Sequence, residues 1–172
     1  TVCEDLWDLG TDPQYVVNPM DELIRGGPDF VINIAASPFH YNQADIRREV
    51  IRENARKYRL PFFYVNHVGA QTELLFDGGS MVVNQRAEIR DEMNYFEEDF
   101  RIYDLDEVLS SEKFIKPANV KEDHKIALIH DALVMGIKNY FKKLSFSKAL
   151  LGLSGGIDSA VTLVLAAEAL GK

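Results

Sequence analysis

Apolar and polar positions alternate in two different periods along the first hundred residues. Residues 30–36 are a short run of apolar and β-branched side chains that stops at Ser37-Pro38, a pattern typical of a buried strand. Residues 43–59 place apolar side chains about one helical turn apart, and charged residues, Arg47 among them, fill the remaining positions. This pattern predicts a strand followed by an amphipathic helix whose charged face is solvated.

The same alternation continues downstream. Residues 62–66 and 80–83 are short apolar runs that predict two more strands, and Asp77-Gly78-Gly79 between them has the composition of a turn. Residues 101–105 are a further possible strand. Strands that alternate with helices predict a layered α/β domain.

A second unit follows a polar segment. Residues 110–123 have linker composition, and we place the linker itself at 114–121, between domains at 1–113 and 122–172. A long amphipathic helix is expected from about 122 to 143, with its buried stripe running from Ile126 to Phe141. A strand at 148–153, a glycine-rich turn and a helix at 158–170 complete the order, which is that of the start of a second α/β unit.

Composition and charge narrow the classes of protein. The chain is 47% hydrophobic and 27% charged, as in globular proteins, and its single cysteine allows no intrachain disulfide. No apolar run is long enough to span a membrane. The net charge is −8, and the acidic excess lies before residue 115, which argues against a nucleic-acid surface. The chain starts with Thr1 rather than Met, and we expect it to be a piece of a longer polypeptide.

The most informative motif is the glycine-rich turn Gly152-Leu153-Ser154-Gly155-Gly156-Ile157-Asp158-Ser159, between the predicted strand and helix. Unpaired N–H groups at a helix N-terminus attract anions, and glycines let phosphate oxygens approach the backbone. Asp158 beside phosphates makes sense mainly with a divalent cation between them. The spacing fits neither the Walker A nor the dinucleotide-binding pattern. A capped tight turn without a ligand is the simpler alternative.

The segment from Ser154 to Ser159 resembles the PP-loop family of ATP pyrophosphatases, whose signature is Ser-Gly-Gly-x-Asp-Ser. The resemblance implies that residues Gly152 to Ser159 bind ATP, that Asp158 helps to hold Mg²⁺, and that ATP is cleaved between its α- and β-phosphates. It leaves the substrate open.

Cys3 lies directly before Glu4-Asp5-Leu6-Trp7. A lone cysteine is most often a small buried hydrophobe. However, an apolar residue directly before the cysteine and two carboxylates directly after it are also typical of a strand that ends at a pocket. A nucleophilic thiol needs a base and a nearby cation to become thiolate. Neither is evident beside Cys3, and we expect both from elsewhere in the longer polypeptide.

Three segments together resemble the nitrilase superfamily of carbon–nitrogen hydrolases: Cys-Glu-Asp-Leu-Trp at 3–7, Asn-Ile-Ala-Ala-Ser-Pro-Phe-His at 33–40, and Tyr-Val-Asn-His-Val-Gly at 64–69. The resemblance implies an α-β-β-α sandwich of which residues 1–113 form the C-terminal part. It also implies that Cys3 is the nucleophile of a Glu-Lys-Cys triad. In the family, the glutamate and lysine precede the cysteine.

A nitrilase-like amidase followed by a PP-loop synthetase resembles the family of glutamine-dependent NAD⁺ synthetases. That resemblance implies a ligase that takes ammonia from glutamine and uses ATP and Mg²⁺ to convert deamido-NAD⁺ to NAD⁺. The partners expected are these small molecules, with no nucleic acid and no membrane. We further expect a cytoplasmic homo-oligomer, and an isolated 172-residue chain without activity.

The same resemblance implies that Glu4, Ser37 and Gln43 bind glutamine. The family usually has Lys or Arg at the position of Gln43, to bind the substrate carboxylate. Either Gln43 donates a weaker hydrogen bond, or an arginine such as Arg47 substitutes. A Ser-Pro turn at Ser37 and a helix-start carboxylate at Glu4 are the simpler alternatives.

Other functions remain open at the level of sequence. The chain could be part of a stand-alone nitrilase-family amidase whose tail binds a nucleotide for regulation, or of another glutamine-dependent PP-loop synthetase. A non-enzymatic assembly module is the third possibility.

Overall fold

The computed structural model describes residues 1–9, 15–110 and 125–171. Within these ranges the first part is a mixed α/β layer and the second a pair of helices, which confirms the α/β class. The predicted linker at 114–121 and the first residues of the predicted helix at 122 lie outside the described residues. The helices and strands are α1 (Pro19–Ile24), β1 (Val31–Ala35), α2 (Gln43–Tyr58), β2 (Phe62–Asn66), β3 (Val68–Gln71), β4 (Leu74–Asp77), β5 (Met81–Val83), β6 (Ile89–Glu92), α3 (Leu105–Leu109), α4 (Lys125–Lys143) and α5 (Ile157–Leu170).

The main sheet has the strand order β1-β2-β5-β6. β1 and β2 are parallel, with Val31 opposite Phe62 and Ala35 opposite Asn66, whereas β5 and β6 are antiparallel to their neighbours. Val2 forms a parallel bridge with Ile34, so that the chain start extends the sheet beside β1. The carboxyl ends of three neighbouring parallel segments therefore meet at one edge.

One face of this sheet is covered by α2 and carries the hydrophobic core. Alternate residues of β1 and β2 point into it, as the period of two requires. Phe62 is fully buried there, against Ile51 and Ala55 of α2. The opposite face is open, and Ile34 and Val65 on it are 64% and 48% exposed.

The predicted face of α2 is wrong in one important respect. The buried stripe includes Ile51 and Ala55, but also Arg47, which has no exposed side-chain surface and was expected on the solvated face. A periodicity count treats every arginine as polar surface. Here Asp77, from a strand 30 residues away, supplies the opposite charge that permits burial.

Two predicted strands are absent. Residues 101–104 have no regular secondary structure and lead into α3, which begins at Leu105 behind an Asp104 N-cap. Residues 148–153 are likewise irregular and exposed, with Leu150 fully accessible. A strand needs a neighbour to share its backbone hydrogen bonds, and none of the described backbone hydrogen bonds pairs either run with another segment.

The predicted stripe of α4 is also displaced. Ala132 and Met135 are its buried side chains, whereas Ile126 is 78% and Tyr140 51% exposed. α4 packs mainly against α5 and the hairpin of β3 and β4, which sequence patterning did not predict, and Lys125 at its start lies over the Tyr41 ring.

The predicted turn at Asp77-Gly78-Gly79 is confirmed as the connection between β4 and β5. Gly78 and Gly79 have φ angles of +72° and +65°. A Cβ atom at Gly79 would collide with the Tyr95 ring, so this position requires glycine for space as well as for conformation. Among the described residues, no helix is long and apolar enough to cross a membrane.

Candidate active sites

Cys3 occupies a strained elbow between an extended segment and a 3₁₀ turn. Its φ angle is +43°, which is uncommon for a residue other than glycine, and the turn Cys3–Leu6 begins at this residue. Asn33 fixes the elbow from β1, because its Nδ2 donates to Thr1 Oγ1 at 2.9 Å and to the Cys3 carbonyl at 3.3 Å. The Cys3 side chain is half-buried, and Glu4 beside it is exposed. Strain of this kind is concentrated at functional sites.

Ser37 lies at the same edge of the sheet, two residues after β1. It is 3% exposed, and its backbone N–H donates to Asn66 Oδ1 at 3.0 Å. Gln43 opens α2 and points its side-chain amide at Ser37, with 3.4 Å between Nε2 and Oγ. The structure thus brings Ser37 and Gln43 into contact, at the edge that also carries Cys3.

Tyr64 lies in the predicted strand at 62–66, and its hydroxyl is close enough to Ser37, Arg47 and Cys3 for each to influence its pKa. The ring is 2% exposed on the same face of β2 as Asn66, and burial raises the pKa of its hydroxyl to about 12. The neighbouring Ser37 hydroxyl and the Arg47 charge oppose this rise in pKa, while a Cys3 thiolate adds to it. Tyr64 therefore stays a neutral hydroxyl between the predicted nucleophile and the predicted glutamine contacts.

Asn66 was missed as a positioning residue. Its amide accepts from the Ser37 backbone, donates to the Gly78 carbonyl at 2.8 Å, and its own backbone N–H donates to Ser80 Oγ. The buried side chain therefore ties the segment after β1 to the glycine turn. Its place directly at the end of a parallel strand is the signal that could have identified it.

The second predicted site is the loop Gly152 to Ser159 at the start of α5. Gly155 has a φ angle of +86°, Gly156 is the N-cap, and the helix starts at Ile157. Residues 152–158 are exposed, and a Cβ atom at Gly152 or Gly155 would meet nothing within 4 Å. The space in front of the loop is therefore open to a ligand.

Two serines brace this loop. Ser154 Oγ and Ser159 Oγ lie 3.1 Å apart, and Ser159 donates to the Gly156 carbonyl at 3.0 Å. The first-turn N–H groups of α5 have no acceptor within the helix and carry partial positive charge. Asp158 is exposed in the same turn. The first-turn N–H groups therefore suit a bound anion, and the Asp158 carboxylate suits a cation that is bound to that anion.

The two sites are joined by α4, which packs against the β3–β4 hairpin on one side and against α5 on another. Asn139 Oδ1 accepts from the Ala70 backbone at 3.4 Å, and Lys143 Nζ donates to the Ala70 carbonyl. Towards α5, His130 contacts Glu168 at 3.0 Å, and its hydrogen bonds to Asp131 and Glu168 raise its pKa.

Comparison with known proteins finds relatives that are similar along both parts of the chain. The family model described as NAD synthase matches residues 129–172. The glutamine-dependent NAD(+) synthetase of Synechocystis sp. is 39% identical over the whole of this chain, which corresponds to 31% of that protein. The Acinetobacter baylyi enzyme of the same name is 33% identical over 99% of the chain and 30% of its own length. The chain thus spans about a third of the curated relatives it matches.

Solved structures agree with this result. The glutamine-dependent NAD⁺ synthetase of Acinetobacter baumannii, in complex with ADP, is 35% identical with a TM-score of 0.84, and the match covers 99% of this chain and 30% of that one. The corresponding enzyme from Cytophaga hutchinsonii has a TM-score of 0.65 at 20% identity, over 84% of this chain and 23% of that one, which shows a common fold.

Proposed function

We propose that this chain is a segment of a glutamine-dependent NAD⁺ synthetase that spans the junction between its two catalytic units. Residues 1–113 are the C-terminal part of a nitrilase-like glutaminase with an α-β-β-α sandwich. Residues 114–121 are the linker, and residues 122–172 begin the PP-loop synthetase domain. One observation carries the proposal: a cysteine at a strained elbow and an open phosphate loop at a helix start occur in one chain that matches such synthetases along its whole length.

In the glutaminase half, Cys3 is the nucleophile. Its sulfur attacks the side-chain carbonyl carbon of glutamine, the C–N bond breaks, and ammonia leaves with a proton from the general base. Water then hydrolyses the thioester to glutamate and restores the thiol. In the family, the glutamate base and the lysine lie on segments before the nucleophile.

Ser37, Gln43 and Glu4 contact the amino-acid end of glutamine. Ser37 and Gln43 already touch, and their free hydrogen-bonding capacity suits a carboxylate. Glu4 is exposed beside the nucleophile and suits an ammonium group. A neutral amide at position 43 gives a weaker contact than the Lys or Arg usual in the family, because charge-assisted hydrogen bonds are about twice as strong as neutral ones.

In the synthetase half, residues Gly152 to Ser159 hold the phosphates of ATP. The first-turn amides of α5 and the two serines donate to phosphate oxygens, and the glycines keep the approach open. The nicotinate carboxylate of deamido-NAD⁺ attacks the α-phosphorus, pyrophosphate leaves, and ammonia then displaces AMP to give NAD⁺.

Asp158 fits a Mg²⁺ ligand, because it presents an exposed carboxylate in the turn that faces the phosphates. The described residues hold no group of three potential metal ligands, and phosphate oxygens and water would complete the coordination. When bound, the ion would neutralise the negative charge of the phosphates and of the departing pyrophosphate.

A nucleotide product assay on the full-length protein tests this function. With glutamine, ATP, Mg²⁺ and deamido-NAD⁺, we expect AMP, pyrophosphate and NAD⁺ in equal amounts. Formation of ADP would contradict the assignment of the loop. Glutamine hydrolysis without any nucleotide turnover would favour the stand-alone amidase, and no reaction at all would favour an assembly module.

A further inference from the structure

A fully buried ion pair lies beneath the predicted glutamine contacts. Arg47 Nη2 of α2 donates to Asp77 Oδ2 at the end of β4 over 2.6 Å, and the two side chains are 0% and 2% exposed. Burial lowers and Asp77 raises the pKa of Arg47, and the net result is a raised pKa, so the guanidinium stays charged.

This pair is costly for the fold because its hydrogen bonds are incomplete. Arg47 Nε and Nη1 and Asp77 Oδ1 are buried without a partner among the described residues. An apolar pair of similar volume would fold at least as well, since buried charges repay their desolvation only when all their polar atoms are satisfied. Stability alone therefore does not account for Arg47 and Asp77.

Arg47 controls the position of Gln43. The two residues are four apart in α2 and so lie on the same face, one turn from each other. Because Arg47 is held in the core by Asp77, it fixes the depth and rotation of the first turn of α2. Gln43 on that turn then lies at 3.4 Å from Ser37.

Asp77 is connected to Ser37 by a second route. The next residue, Gly78, accepts a hydrogen bond from the Asn66 amide, and Asn66 in turn accepts from the Ser37 backbone. The Phe39 N–H also donates to the Leu75 carbonyl of β4 at 2.6 Å, two residues before Asp77. The ion pair thus closes a ring of contacts that includes both Ser37 and Gln43.

From this ring we infer that Arg47 and Asp77 are positioning residues of the glutaminase reaction, which set the separation of Ser37 and Gln43 for the amino-acid end of glutamine. The inference rests on the proposed function. It also decides between the two sequence interpretations of Arg47: a guanidinium without exposed surface and already paired with Asp77 acts through Gln43 and does not contact the carboxylate itself.

The test uses the full-length protein with Arg47→Met, Asp77→Leu and the double substitution. Each single change leaves a buried charge unpaired and should lower the melting temperature, whereas the double change should restore the wild-type melting temperature. With glutamine, the double variant should show KM raised about tenfold with kcat changed by less than about threefold. Ammonia-driven synthesis should keep its KM and kcat.

An exposed pair on α1 provides the matched control. Arg25 and Glu22 are 2.7 Å apart at 73% and 48% exposure, so Arg25→Met with Glu22→Leu should leave the KM for glutamine unchanged. Arg47→Lys keeps the positive charge but loses the planar guanidinium group. This variant should have a melting temperature close to that of the wild type and a raised KM for glutamine.

An unchanged KM in the recovered double variant, or in Arg47→Lys should the double variant fail to recover its melting temperature, would overturn the inference. That result differs from failure of the proposed function, in which the wild-type protein itself would make no NAD⁺ from glutamine. A variant that loses ammonia-driven synthesis as well would indicate general damage to the fold and would also count against a positioning role.

Discussion

The side chains around Cys3 show how single residues acquire roles that their type does not reveal. Asn33 holds the elbow through the Cys3 carbonyl, and Tyr64 remains a neutral hydroxyl because burial raises its pKa to about 12. Asn33 thereby helps to determine where the thiol lies. The predicted reactive group is the single sulfur atom of Cys3.

Replacement of that sulfur should separate the two sources of nitrogen. In the full-length protein, Cys3→Ala should abolish glutamine-driven NAD⁺ synthesis, because no thioester can form. Synthesis from added ammonia should stay within about twofold of wild type, since the synthetase half is untouched. The measurement is NAD⁺ formation with each nitrogen donor, and loss of both activities would contradict the assigned role.

At the scale of elements, the start of α5 and the loop before it form one unit. Gly155 in a left-handed conformation turns the chain, Ser154 and Ser159 brace it, and the helix supplies its first-turn amides. Because the loop needs all three contributions, its function depends on where the helix begins.

Asp158 carries the predicted cation of this unit. We expect Asp158→Ala to lower both glutamine-driven and ammonia-driven synthesis at least about 100-fold, since metal stabilisation of phosphate charge contributes several kcal/mol. Basal glutamine hydrolysis should persist. Glu73→Ala, which removes an exposed carboxylate from the β3–β4 turn, is the control. Recovery of the Asp158→Ala variant by excess Mg²⁺ is a further expected result, and full activity at low Mg²⁺ would contradict the assignment.

At the scale of the whole molecule, the β3–β4 hairpin lies between the sheet edge that carries Cys3 and α4. One end carries Asp77 and the other is held at Ala70 by Asn139 and Lys143. The hairpin therefore provides much of the described contact between α4 and the first part of the chain.

This contact should matter for transfer of ammonia between the halves. Asn139→Ala with Lys143→Met should leave glutamine hydrolysis intact but lower the NAD⁺ formed per glutamine consumed, because free ammonia is lost to water when the halves separate. We expect a fall of about two- to fivefold, in keeping with two modest hydrogen bonds. Lys142→Met on the same exposed helix end is the control. An unchanged ratio of products would show that the contact plays no part in transfer.

Sequence patterns predicted local features well and long-range ones poorly. The strand at Val31, the helix from Gln43 and the glycine turn follow from periodicity and turn chemistry, which act over a few residues. The burial of Arg47 depends on Asp77, and the strand expected at 148–153 depends on neighbours that are not in its own sequence. Such features become visible only when distant segments are placed together.

The positive φ angle of Cys3 has a consequence for variation at this position. A backbone conformation of this kind costs about 1–3 kcal/mol for an ordinary residue and almost nothing for glycine. At Cys3, a substitution that improves thermal stability would therefore remove the thiol. A laboratory evolution experiment that rewarded heat resistance alone would drift towards glycine there and lose the thiol.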